Sequence, residues 1–200
     1  MRPRVIEEDA LLDRLLEAFA DLGFEGTSIR ELCRHLGVSH NLIHTRYQSK
    51  DNAWYRAVDH GFEELGAALT QTPPEGWPDD GLELLRMSME RYAAATIERP
   101  ALARIIQQEA ARPGQRFDYM YERYIAPWRG ITDALIEHLQ SDGVVREGAV
   151  QTVYFFLTTW GIGGLASVPH ATAGVSGSDT QRLAVARLAV DVVIEGLRAR

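Results

Sequence analysis

One cysteine in 200 residues, Cys33, leaves no partner for an internal disulfide and no thiolate set for a metal. Its place on an apolar helical face beside Ile29 and Leu36 reads as a small buried hydrophobe rather than a redox sensor. Positive charge is also in short supply. The net charge of −7 argues against nonspecific adhesion to nucleic acid or to anionic lipid. A secretory leader is not indicated, because Glu7, Glu8, Asp9 and Asp13 interrupt the first apolar stretch.

Long hydrophobic runs are missing as well. The nearest candidate is the segment from Gly148 to Ser178, which holds no Asp, Glu, Lys or Arg. Gln151, Thr152, Thr158 and Thr159 interrupt it, Pro169 and a Gly/Ser-rich loop follow, and a span needs about 20 mostly apolar residues. A buried helix is expected there, with no membrane partner and a cytoplasmic location. Alternating strand patterns and internal repeats are absent too.

What is present is helical periodicity almost throughout, which predicts an all-α chain of about nine helices. Leu12, Leu15, Leu16 and Phe19 keep helical spacing up to Gly23. Ile29, Leu32, Cys33 and Leu36 mark a second helix, with Ser28 and Glu31 placed as a capping box. Ser39 can cap a third, in which Ile43 and Tyr47 face inward, and Ser49 a fourth over about 51–69. The break "TQTPPEGWPDDG" then separates a small N-terminal unit from the rest. The expected division is 1–50, a connecting helix 51–70, and 71–200.

Beyond the break, Leu82, Leu85, Met89, Tyr92 and Thr96 share one helix face, and Leu102, Ile105, Ile106 and Glu109 another. Phe117, Tyr121, Tyr124, Trp128, Ile131 and Leu135 form a stripe on a long helix. The uncharged helix from about Ala149, the loop "VPHATAGVSGSD" and a last helix over about 180–198 complete the chain. Aromatic residues at helical spacing usually form core. The polar atoms of Tyr92, Glu109, Tyr121 and Tyr124, with Met89, Phe117 and Trp128 beside them, make an alternative reading as a ligand pocket. A carboxylate on an apolar face such as Glu109 needs either an internal partner or a ligand.

The stretch "GVSHNLIHTRYQSK" carries the function. Two short helices meet at "LGVS", where a glycine suits the φ > 0 of a helix-turn-helix. Between Arg30 and Arg56 five basic residues face two acids, so an acidic chain keeps a local basic surface here. The outward positions His40, Asn41, Leu42, His44, Thr45 and Arg46 suit base edges: Arg can pair with guanine, Asn with adenine, and Leu can touch a thymine methyl. Thr27, Ser28 and Lys50 suit phosphate. His40 and His44 also have the spacing of two zinc ligands on one helix face. Asn41 stands where a zinc protease needs its general-base Glu, although Glu63 or Glu64 could offer a third ligand. A small helical metal-dependent hydrolase built on His40 and His44 is therefore the alternative to a DNA reader.

The segment "FADLGFEGTSIRELCRHLGVSHNLIHTRYQSKDNAW" resembles the DNA-binding region of the TetR family of bacterial transcriptional regulators. The matching residues are Phe19, Ala20, Gly23, Phe24, Thr27, Ser28, Gly37, Val38, Ser39, Tyr47, Ser49, Lys50 and Asp51. The resemblance implies a DNA-binding regulator, not an enzyme, most simply a repressor released from its operator by a small molecule. It implies a homodimer joined through the last two helices, an effector-binding C-terminal domain, and double-stranded DNA bearing an approximate inverted repeat. Carried over, Arg30, His40, Asn41, Leu42, His44 and Arg46 would face bases. Thr27, Ser39, Thr45 and Lys50 would hold the backbone, with Ser28 and Tyr47 completing the DNA-binding set. His44 stands where the family usually has Tyr, and Arg46 where it often has His, which bears on the operator sequence rather than the binding mode. Neither a cofactor nor a resident metal is implied.

Overall fold

Serines and glycines divide the N-terminal third into short helices, as their local chemistry requires. Ser28 Oγ accepts from Glu31 N at 3.2 Å, Ser39 Oγ from Leu42 N at 3.2 Å and Ser49 Oγ from Asn52 N at 3.0 Å. These satisfy donors that a helix start leaves open. Gly37 ends the second helix at φ +63°, in the left-handed region that glycine enters freely. Glu31 does not turn back as in the expected box; its carboxylate pairs with Arg34 at 2.8 Å.

The computed structural model describes residues 6–112, 114–167 and 178–199, with the backbone alone at 166 and 167. Nine helices occur among them. They are α1 (Glu8–Leu22), α2 (Ile29–Leu36), α3 (His40–Tyr47), α4 (Lys50–Thr70), α5 (Gly81–Glu98) and α6 (Pro100–Ala110). Helix α7 runs as Gln115–Met120, a π-helical turn Tyr121–Ile125, and Ala126–Ser141. Helix α8 runs as Val150–Phe156, a second π turn Leu157–Ile162, and Gly163–Ser167, and α9 is Asp179–Leu197. The only strand-like pairing among the described residues is a single antiparallel bridge between Val145 and Arg198. No helix among them is long and apolar enough to cross a membrane. Most of the loop "VPHATAGVSGSD", residues 168–177, lies outside the described residues.

Two apolar clusters organise the packing. One gathers α1 to α4 around Leu11, Leu15, Phe19, Leu32, Ile43 and Trp54, and draws in Leu102, Ile105 and Ile106 of α6 with Met120 of α7. The other joins α5, the second half of α7, α8 and α9 through Leu85, Met89, Ile136, Tyr154, Val190 and Ile194. The clusters do not part at the Pro/Gly-rich break: α6 packs on α1, because its apolar face fills the groove that α1 and α4 leave.

The stripe expected along α7 does not form one face. Phe117 and Tyr124 pack on the first cluster and Leu135 on the second, while Ile131 is 64% exposed. The π turn explains this, since one inserted residue rotates everything beyond it by about 100°.

Candidate nucleic-acid interface

Helix α3 sits on α2 and α4 through Ile43, fully buried, and Tyr47. That leaves His40, Asn41, His44 and Thr45 exposed on the opposite side, with Leu42 half-buried at the edge. The rings of His40 and His44 lie stacked, 6.2 Å apart with a 20° interplanar angle, as expected of one turn's separation. Among the described residues no cluster of three His, Cys, Asp or Glu side chains comes together. Glu64 is engaged elsewhere, with Arg99 at 2.9 Å.

At the start of α2, Ser28 and Arg30 are exposed, and so is Ser39 at the start of α3. Thr27 is buried, and its hydroxyl donates to Gly23 O at 2.5 Å. Lys50 is half-buried: its Nζ donates to Phe24 O at 3.0 Å and Thr27 O at 2.9 Å, and lies over the Phe24 ring. It therefore holds the turn between α1 and α2.

Arg46 departs from the outward placement, and Tyr47, included in the DNA-binding set, is buried instead. Arg46 turns back to the start of α1, where its Nη1 meets Glu8 Oε2 at 2.8 Å and its Nη2 donates to Ile6 O at 2.8 Å. Tyr47 is 3% exposed and donates to Glu8 Oε1 at 3.0 Å. Burial, reinforced by the Glu8 carboxylate, pushes the Tyr47 phenol well above its ordinary value. The periodicity of α3 placed Tyr47 inside. Nothing in α3 itself points to Glu8, which lies 38 residues from Arg46 and 39 from Tyr47 in sequence.

The seven residues considered for a pocket are not brought together. Met89 is fully buried in the second cluster. Tyr124 stacks on Phe62 at 4.4 Å, and both its hydroxyl and that of Tyr119 donate to Asp59, at 2.7 and 2.6 Å. Phe117 and Tyr121 contact one another at 5.9 Å, and Trp128 is half-buried farther along α7. Glu109 has its internal partner: Arg116 Nε lies 3.1 Å from both of its oxygens. Of the seven, only Tyr92 lines a cavity of about 520 Å³ between α1, α4, α5 and α6. Leu16, Leu65 and Ile106 form part of its wall, and Asp13, Glu64 and Arg99 stand at its edge.

Sequence reasoning missed the polar contacts that tie the α5–α6 junction, α6 and α7 to α1, α4 and the α1–α2 turn. Arg99 at the α5–α6 junction reaches Glu64 of α4 at 2.9 Å and Asp13 of α1 at 3.5 Å, and His60 meets Asp13 at 3.0 Å. Arg104 pairs with Asp21 at 2.7 Å, and Gln108 donates to Ala20 O at 2.8 Å. Arg116 adds Glu25 at 2.8 Å. Helices α6 and α7, from beyond the Pro/Gly-rich break, thus touch α1 and the α1–α2 turn directly.

Residues 11–52 match the family model described as bacterial regulatory proteins, tetR family. A 70-residue stretch, 35% of this chain, is 30% identical to an HTH-type transcriptional regulator, YezE, of Bacillus subtilis, and spans 36% of that relative's length. Solved structures extend the likeness to the whole chain. The TetR family transcriptional regulator PfmR of Thermus thermophilus aligns at a TM-score of 0.72 with 20% identity, covering 98% of this chain and 100% of its own. The ketosteroid transcriptional regulator KstR2 of Mycobacterium tuberculosis aligns at 0.69 with 20% identity, covering 98% of each chain. At these identities the whole-chain likeness is one of fold.

Proposed function

We propose that this chain, which belongs to the tetR family of bacterial regulatory proteins, is a dimeric DNA-binding regulator that a small molecule releases from its operator. The observation that carries the reading is the outward face of α3. His40, Asn41, His44 and Thr45 are exposed polar side chains on a helix whose opposite side is buried. Such a helix fits a major groove, where amide and imidazole groups can address base edges. Ser28 and Ser39, exposed at the starts of α2 and α3, would meet the phosphate backbone, and the exposed Arg30 would face bases beside α3. Asn41, at the general-base position, weighs against the hydrolase alternative.

Dimerisation is supported by an apolar surface that one subunit leaves open. Val153, Phe156 and Leu157 on α8 are 41–54% exposed, Leu188 and Val192 on α9 64% and 66%, and Ile131 on α7 64%. Apolar side chains grouped this way mark an interaction surface, and a second copy pairing through α8 and α9 would cover them. Two recognition helices related by a two-fold axis then require an approximately palindromic operator. The effector would occupy the C-terminal part, whose α5 and α6 form one side of the cavity beside Tyr92, with α1 and α4 on the other; the size of that cavity is within the range of ligand sites. A ligand there can shift the dimer only by its differential affinity for two arrangements of α6 against α1.

The test is selection of duplexes from a randomised-sequence library by the purified chain. An enriched inverted repeat, with affinity falling steeply as salt rises, is the expected result. Enrichment of no sequence would overturn the reading.

A further inference from the structure

The three hydrogen bonds that gather at the start of α1, on Glu8 and the preceding Ile6, do more than hold a helix end. Glu8 gives one carboxylate oxygen to Arg46 and the other to Tyr47, while Ile6 O takes the second arm of the Arg46 guanidinium. All three bonds end on the last turn of α3, which otherwise packs chiefly on α2 and α4. The helix has only eight residues, and it closes at Gln48 with φ +66°, a positive φ unusual outside glycine. Such a short helix frays at its C-terminal end unless something outside it fixes that end.

From this geometry we infer that Arg46 reads no base. Glu8, Arg46 and Tyr47 form a clamp that sets the angle of the recognition helix, and base reading on α3 falls to His40, Asn41, His44 and Thr45. The inference rests on the DNA-binding reading above. To reach a groove, Arg46 would have to abandon a carboxylate and a carbonyl with its side chain only 24% exposed. That would leave Glu8 facing Tyr47 alone. Charge-assisted bonds of this kind are the strong ones, so the competition favours the clamp. Glu8 is also well placed by itself, because a carboxylate at the first turn of a helix is stabilised by the exposed N–H groups there. These are positioning residues, acting through the direction they give α3.

The experiment uses the full chain, a duplex enriched by it from a randomised library, and a scrambled duplex of the same composition. Glu8→Ala removes a negative charge, which on electrostatics alone should raise affinity for DNA. Loss of the clamp predicts the opposite, a fall of roughly tenfold or more on the enriched duplex. Arg46→Met should cost a similar factor, with the double variant little worse than either single one. In a renewed selection Arg46→Met should enrich the same motif, and its salt slope should match the wild type because no phosphate contact is lost. Tyr47→Phe, which removes one hydroxyl and no volume, covers the case that Glu8→Ala fails to fold. It should lower affinity by roughly two- to tenfold. Unchanged or tighter binding by Glu8→Ala or Tyr47→Phe overturns the clamp. So does a shifted motif in Arg46→Met, or a salt slope shallower by about one. A wild-type chain that enriches no sequence overturns the DNA reading itself, whereas enrichment without these effects overturns the clamp alone.

Discussion

Lys50 Nζ lies 3.9 Å from the centroid of the Phe24 ring. The same ring carries the Arg116 guanidinium at 4.0 Å, so one aromatic side chain in the α1–α2 turn binds cations from α4 and from α7. Phe24 is itself packed against Phe19 and Trp54, at 6.1 and 6.2 Å between centroids. A cation over an aromatic face is worth about 0.5–2 kcal/mol, more as water is excluded.

Lys50→Ala should therefore do two things at once. It should lower affinity for all DNA sequences alike, if the ammonium also meets a phosphate. Because it loses two carbonyl partners as well as the ring, it should lower unfolding free energy by about 1–3 kcal/mol. Urea unfolding checks the second effect without DNA. An unchanged midpoint would show that the turn does not depend on this lysine.

The ion pairs that tie the helices together should differ sharply in worth. Glu109 is 15% exposed and grips Arg116, itself 23% exposed. Glu109→Gln should cost about 1–3 kcal/mol, because a half-buried guanidinium loses the more buried of its two carboxylate partners. Arg99 has two carboxylate partners but is 53% exposed. Arg99→Ala should cost less than about 1 kcal/mol, since water and salt screen such pairs. Parallel denaturation of the two variants tests the ordering.

The apolar face of α8 and α9 predicts the oligomeric state. Leu188→Glu and Val192→Glu should turn a dimer into a folded monomer, because both side chains already face outward within one subunit. Light scattering after gel filtration reads the mass, and circular dichroism the retained helix. Binding to an inverted-repeat duplex should fall with the loss of the second recognition helix.

Alkaline pH should unfold the chain before its phenols titrate freely. Burial pushes Tyr154 up to about 12, while its hydroxyl donates to Leu85 O at 3.1 Å. Tyr92, Tyr119 and Tyr124 shift the same way, again chiefly through burial. A group whose folded value is raised contributes stability that is full below the unfolded value, near 10, and is lost as pH climbs through the folded one. Stability should thus decline from about pH 10 upward. Tyr154→Phe should be less sensitive to pH over that range. Tyrosinate absorbance tracking the unfolding transition would support this; complete ionisation in a still-folded chain would refute it.

Sequence alone determined what depends on near neighbours. Ser28, Ser39 and Ser49 cap the helices they were expected to cap, since the bond runs only to the third residue on. Gly37 marks the turn because no other residue enters its conformation so freely. The apolar spacing in α1 to α3 selected the buried faces, and the motif residues from Phe19 to Asp51 carried the resemblance to the family. Tertiary structure decided what depends on distant elements. A helix-period reading could not see the π turn at Tyr121–Ile125, which divides the aromatic stripe of α7 between two cores. It could not pair Glu109 and Arg116 with Glu25, or unite Asp59 with Tyr119 and Tyr124. Nor could it show that Arg46 turns inward. On a helical wheel Arg46 belongs to the polar face, and its direction is settled by a carboxylate that the packing of α1 brings within 2.8 Å.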